Sequence, residues 1–254
     1  MGNVKQIIAI SVVVLLLLSI SVCAAHMRET GANIKKSDIS FKTQDGVTIH
    51  GTYGRPAHGI KTRLSAVLLI HQYDSNRSEW DAFFNYLVQE GFAVLSYDVR
   101  GHGHSDKVED MEALLTAPDK APQDLYAAIR WLKGREEVSP QRIAVIGASM
   151  GGNLACLVSG LQDKPIKTAV VISAKTSSVK SLSVKAENFK MSSVFYIAGA
   201  KDEERALYAR ELADMTAAPV DIKIYENSSA HGVQLINENP DLNGLILSWL
   251  KKTL

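Results

Sequence analysis

The spacing of apolar and polar positions changes rhythm several times along this chain. In "ISFKTQDGVTIHGTYGRP" (39–56) apolar and polar residues alternate on both sides of Asp45-Gly46. Alternation around such a dipeptide predicts two strands joined by a tight hairpin. "AVLLIH" (66–71) is instead an unbroken apolar run, the pattern of a strand covered on both faces. Next, "SEWDAFFNYLVQEG" (78–91) has helical spacing and stops at a glycine. The two rhythms then take turns. Strands are expected over 92–98, 142–147, 168–173, 192–199 and 221–226, and helices over 121–135, 152–160, 202–215 and 241–254.

Strands alternating with helices specify an α/β class with a mostly parallel, twisted sheet and helices on both faces. The hairpin adds an antiparallel pair at the N-terminal end. Residues 26–39 read as a polar linker and 40–254 as one domain, with no internal repeat. Only 174–191 breaks the rhythm, as a small insert whose Lys185 and Lys190 read as a solvated face. Hydrophobic residues make up 46% and charged residues 22%, an ordinary globular composition that excludes disorder over most of the length.

Residues 1–25 stand apart. Ile7 to Ala25 carries no charge and follows Lys5, as in a secretory signal or a membrane anchor. A signal core is usually shorter, which favours an anchor, whereas Val22 and Ala24 supply small residues for a cleavage site. Cys23 resembles the acylated cysteine of a lipoprotein signal. All three readings bring the protein to a membrane or across it, so a membrane-anchored or exported location is expected. With Lys5 set aside, the 28 basic and 27 acidic side chains balance. That balance argues against nucleic acid as a partner, and nothing in the sequence specifies an oligomeric state. Cys156, on an apolar helix face, reads as a small buried hydrophobe.

The chemistry centres on Gly147-Ala148-Ser149-Met150-Gly151. A serine hydroxyl is a weak nucleophile until a base takes its proton and the resulting oxyanion is stabilised. G-x-S-x-G places the serine on a strained strand-to-helix turn and aims the N–H of the next residue, Met150, at the reacting oxygen. With 17 glycines in the chain, the pattern alone is weak. The strand before it and the helix after it give it weight.

With these residues the chain resembles the α/β-hydrolase family, in particular its small dienelactone-hydrolase-like and esterase-like members. The resemblance covers 40–254. It also rests on "LLIHQYDSNRSEW" (68–80), "VLSYDVRGHGHSD" (94–106), "YIAGAKDE" (196–203) and "SSAHG" (228–232). It implies Ser149 as nucleophile, His231 as general base and Asp202 as the acid that orients the imidazole. Asp202 has separate support, because it follows a buried strand and should emerge at the same sheet edge as Ser149. Its rivals are Asp221, expected at the start of a strand and so at the opposite edge, and Asp241, at the start of the last helix. The resemblance further makes His71 part of the oxyanion segment and Tyr73 the second N–H donor.

Among the other histidines, His26 adjoins the leader, His50 lies in the hairpin and His58 in a polar loop. His102 and His104 could suggest a metal, but "RGHGHSD" offers no cysteine and no helix to fix a geometry, so they read as turn histidines. No metal or organic cofactor is expected. Asp98 and Arg100 read as ties within their loop. Gln72 stands where the family often has glycine, and it either contacts substrate or points away into the surrounding loops. The expected reaction is hydrolysis of a small ester, thioester or lactone through an acyl-enzyme. Two alternatives stay open: a serine peptidase of the same fold, and a non-catalytic binding module that uses the same pocket. Such peptidases usually carry a substrate-filtering domain, for which this chain leaves no room.

Overall fold

The computed structural model describes residues 34–59 and 62–254. The leader, the first part of the expected linker and His26 lie outside the described residues. Among the described residues, no helix is long and apolar enough to cross a membrane.

Strands β1 (Ile34–Lys42) and β2 (Thr48–Pro56) form the expected hairpin, with Ile34 opposite Pro56 and Lys42 opposite Thr48. Gly46 takes φ 87° in its turn, a conformation glycine adopts at little cost. The first strand begins within the segment expected as linker. It is the outermost strand of the sheet and is mostly exposed, so Lys35, Lys36 and Ser37 satisfy its backbone pairing without contributing an apolar face.

The sheet continues through β3 (Leu64–Ile70), β4 (Ala93–Tyr97), β5 (Val138–Ala148), β6 (Thr168–Ile172), β7 (Ser192–Gly199) and β8 (Ala217–Tyr225). The spatial order is β1-β2-β4-β3-β5-β6-β7-β8. From β4 to β8 all neighbours pair in parallel, and β2 runs antiparallel to both β1 and β4. β1 therefore points the same way as the parallel strands. The carboxyl ends of β3 to β8 share one edge of the sheet, and Ile34 enters at the other.

Helices cover both faces. α2 (Ala121–Lys133), α3 (Met150–Ser159), α4 (Thr176–Leu182) and α5 (Arg205–Asp214) bury Leu125, Leu154, Val179 and Leu212 on one side. α1 (Asp81–Gln89), α6 (Gln234–Glu238) and α7 (Asp241–Thr253) bury Phe84, Leu235 and Trp249 on the other. Each such side chain contributes about 1.5–3 kcal/mol relative to exposure. The insert at 174–191 supplies the crossover between β6 and β7, with α4 packed on α3 and α5. α6 was not apparent from the sequence, since a five-residue helix is too short to show a period.

Candidate active site

The turn between β5 and α3 is built by close backbone approach. Ser149 takes φ 52° and ψ −110°, a costly conformation for a residue with a Cβ. Its N–H donates to the Ile172 carbonyl at 2.8 Å, and its own carbonyl accepts the Asn153 N–H at 3.0 Å. A Cβ on Gly147 would overlap the Gly151 carbonyl, and one on Gly151 would overlap the Ile70 carbonyl at the end of β3. Glycine on both sides of the serine is therefore a steric need. The Ser149 side chain is half-buried.

Asp202 follows β7 and is buried at 7% exposure. His231 lies in the loop between β8 and α6. Its Nδ1 is 2.8 Å from Oδ2 and 3.0 Å from Oδ1 of Asp202. A carboxylate accepts only, so Nδ1 carries the proton and Nε2 is left as the acceptor in the neutral ring. Gly232 sets this loop against the elbow: a Cβ built on it would lie 3.4 Å from Cβ of Ala148. The structure thus pairs Asp202 with His231 and brings their loop to the residue before Ser149. Among the described residues, the Ser149 hydroxyl and the imidazole are not hydrogen-bonded to each other. Asp241 instead accepts from the Tyr225 hydroxyl at 3.1 Å. Asp221 is not at the start of its strand. β8 begins at Ala217, so Asp221 sits mid-strand opposite Phe195 and is exposed.

Ser173 was missed by the sequence reading. It ends the run at β6, is 1% exposed, and donates its hydroxyl to Asp202 Oδ2 at 3.0 Å. The Ser173 hydroxyl oxygen in turn accepts the Gly232 N–H at 3.1 Å. The available signal was a serine at the carboxyl end of a buried strand lying between the strands of Ser149 and Asp202.

Residues 71–73 lie beside the first turn of α3, because the Ile70 and His71 carbonyls crowd Gly151. His71 Nε2 accepts the Val99 N–H at 2.9 Å, so its Nδ1 carries the proton and donates to the Gln72 carbonyl at 2.7 Å. Burial lowers the His71 pKa to about 4, which keeps the ring neutral. In a trans peptide the Gln72 carbonyl and the Tyr73 N–H point in opposite directions. Pinning the carbonyl therefore fixes the direction of that N–H. On the other side of the residue, the Gln72 N–H donates to Glu79 Oε1 at 2.9 Å. Burial pushes the Glu79 carboxyl above its usual range, and His231 is among the charges that act on it. Glu79 was also missed, since nothing in "NRSEW" separates it from a solvated helix-start acid. Among the described residues, neither the Tyr73 nor the Met150 N–H is taken up by another group.

The Gln72 side chain turns inward, toward the base. Its Oε1 is buried without a partner and stands where a Cβ on Gly232 would fall. It therefore forms part of the wall beside His231.

The remaining predicted polar residues divide by surroundings. Asp98 accepts the Arg77 N–H at 2.8 Å and the His104 N–H at 2.9 Å, and pairs with the Arg77 guanidinium. Arg100 bonds Asp124 on α2 and Asp45 in the hairpin turn, and holds the Asp45 carboxyl down at about 2. Both tie loops together, as expected. His102 is buried against the rings of His71 and Tyr73, whereas His104 is exposed. The two rings meet different surroundings. Cys156 is fully buried, and burial pushes its thiol up.

A family model described as alpha/beta hydrolase fold matches residues 65–211, which include the elbow and Asp202. The chain belongs to the α/β-hydrolase family. Among curated relatives it is 30% identical over 147 residues to the bifunctional esterase/perhydrolase DCH of Acinetobacter calcoaceticus, covering 58% of this chain and 46% of that protein. It is 29% identical over 120 residues to the uncharacterized protein YfhR of Salmonella typhi, covering 45% and 37%. The chain spans less than half the length of these relatives. Among solved structures, the esterase Pf2001 of Pyrococcus furiosus superposes with a TM-score of 0.66 at 24% identity, covering 89% and 92% of the two chains. Acetyl xylan esterase from Paenibacillus sp. R4 does so with 0.69 at 21%, covering 88% and 85%. At these identities the structural matches speak to the fold.

Proposed function

We propose that this protein is a serine hydrolase that cleaves a small carboxylic ester, thioester or lactone through an acyl-enzyme. Ser149 attacks the carbonyl while His231 Nε2 takes its proton. Asp202 stabilises the imidazolium and holds its tautomer. The developing oxyanion is received by the N–H groups of Met150 and Tyr73. His231 then protonates the leaving group. Water, activated by the same imidazole, releases the acid and restores Ser149. The reading is carried by the Asp202–His231 pair held in a loop against the strained turn of Ser149. The apolar run Ile7–Ala25 adds that the domain works while attached to a membrane or exported across it.

The test is covalent labelling with a fluorophosphonate, followed by turnover of p-nitrophenyl acetate and a panel of lactones and thioesters. The expected adduct lies on the peptide containing Ser149. Ser149→Ala should lose at least about 10³-fold in kcat with an unchanged melting temperature. An unlabelled folded protein, or full turnover in the variant, would overturn the assignment.

A further inference from the structure

The amino ends of β5 to β8 open onto a cavity of about 1070 Å³, at the opposite edge of the sheet from Ser149. Lys133, Lys164, Lys167, Lys190 and Lys252 line it, and all five are exposed. No acidic residue lines it. Among the described residues, none of the five lysines enters a salt bridge or a side-chain hydrogen bond, although Lys36 and Lys251 do. Asp163 and Glu187 adjoin lining residues in sequence, but neither is among the residues that line the cavity. In a chain whose charges balance, five unpaired cations around one opening are a local concentration of positive charge. Helix C-termini gather at this edge, with Lys133 and Lys252 in the last turns of α2 and α7. Their dipoles account for a lysine at each helix end, but not for Lys164, Lys167 and Lys190 in the loops between.

A second observation concerns the direction of β1. It runs parallel to β3–β8, so Ile34 enters the fold at this same edge. The apolar run ends at Ala25, and residues 26–33 allow a reach of at most about 30 Å. A membrane holding that run would lie within this distance of Ile34.

We propose that this lysine-lined edge rests on an anionic membrane surface, with the lysines contacting lipid phosphates and the catalytic edge facing water. The proposal rests on the reading of Ile7–Ala25 as an anchor. Charge complementarity supplies an orientation that attachment at one end alone would leave free. The eight residues of β7, at about 3.3 Å each, hold the two edges roughly 25 Å apart. Substrate then reaches Ser149 from the aqueous phase and not from the bilayer.

The test uses the full chain reconstituted in phosphatidylcholine vesicles, with or without phosphatidylglycerol. Amines are marked by reductive dimethylation and read residue by residue by mass spectrometry. Flotation with the neutral vesicles reads the anchor by itself, and the difference between the two lipids reads the lysine edge. Anionic lipid should lower labelling of the five lysines about threefold or more, reversibly with high salt, and leave Lys107, Lys120 and Lys201 at the catalytic edge unchanged. Equal labelling in both lipids, or a uniform fall over all lysines, would overturn the proposal. So would the same protection given by inorganic phosphate on neutral vesicles, which would make the cavity a small-anion site. The double variant Lys164→Glu/Lys167→Glu should still float with neutral vesicles while losing the lipid-dependent protection of Lys133, Lys190 and Lys252.

Discussion

Ser173 donates its hydroxyl to Asp202 at 3.0 Å and accepts the N–H of Gly232 at 3.1 Å, so one buried side chain joins the acid to the loop of the base. Asp202 and His231 lie on different loops, and β6 stands between the strands that carry Ser149 and Asp202. Ser173 thus sets the position of the pair with respect to the elbow.

Ser173→Ala removes a hydrogen bond to a charged group and leaves the Gly232 N–H without a partner. Such a bond contributes about 1.5–3 kcal/mol. If half of that is expressed when the imidazole becomes charged, kcat should fall about four- to twelvefold. KM for p-nitrophenyl acetate should change little, because Ser173 lies behind the acid and away from the acyl group. Steady-state kinetics separates the two constants. An unchanged kcat would reduce Ser173 to a packing role.

Ser149 and Asp202 were legible as candidates because each sits just past the end of a buried strand, where apolar runs give way to turn residues. His231 instead follows the largely exposed β8 and was singled out by the family resemblance and its loop position. The two outer strands were not legible in the same way. β1 carries Lys35, Lys36 and Ser37, and β8 carries Pro219, because an outer strand pairs its backbone on one side only. That is why the domain was expected to start too late and why Asp221 was placed at a strand end. Ser173 and Glu79 escaped notice for another reason. Their partners, Asp202 and the Gln72 N–H, are set by sheet order and loop folding, which leave no spacing along the chain.

His71 gives the fold a pH dependence with a definite sign. Its pKa lies at about 4 in the folded protein, against 6.5 for the free side chain. Between these values the unfolded chain binds more protons, so stability rises with pH. The contribution is complete above about pH 6.5 and is lost as pH falls toward 4; it amounts to roughly 3 kcal/mol for this fully buried ring. Glu79, pushed upward, acts in the opposite direction in the carboxyl range. Urea unfolding of wild type and His71→Asn at pH 4.5 and 7 isolates the histidine. The stability gap between the two proteins should be wider at pH 7, and an equal gap would show that His71 is not held neutral.

The elbow predicts a contrast between two glycines that both lie in helices. A Cβ on Gly151 would overlap the Ile70 carbonyl, whereas nothing lies within 4 Å of one on Gly244 in α7. Gly151→Ala should cost about 2–4 kcal/mol as α3 is pushed off β3, lowering the melting temperature by about 5–15 °C. Gly244→Ala should be neutral or stabilise by up to about 1 kcal/mol, through helix propensity. Thermal unfolding of both variants checks the pair. Equal responses would mean that close packing does not constrain the elbow.

Gln72 predicts a change in substrate range. Its Oε1 is buried, has no partner and crowds Gly232, so the side chain fills space beside His231 without a hydrogen bond to hold it there. Gln72→Ala leaves the backbone clamp intact, because His71 and Glu79 bond the main chain of residue 72. The freed volume should admit a longer acyl group. A methylene in an apolar pocket is worth about 1–3 kcal/mol of discrimination, so the kcat/KM ratio of p-nitrophenyl butyrate to acetate should rise about fivefold or more. Turnover of the acetate should stay within about threefold of wild type, since no oxyanion donor is lost. A loss of turnover on both esters, with the ratio unchanged, would instead assign the amide to binding the substrate and remove it from the wall of the acyl site.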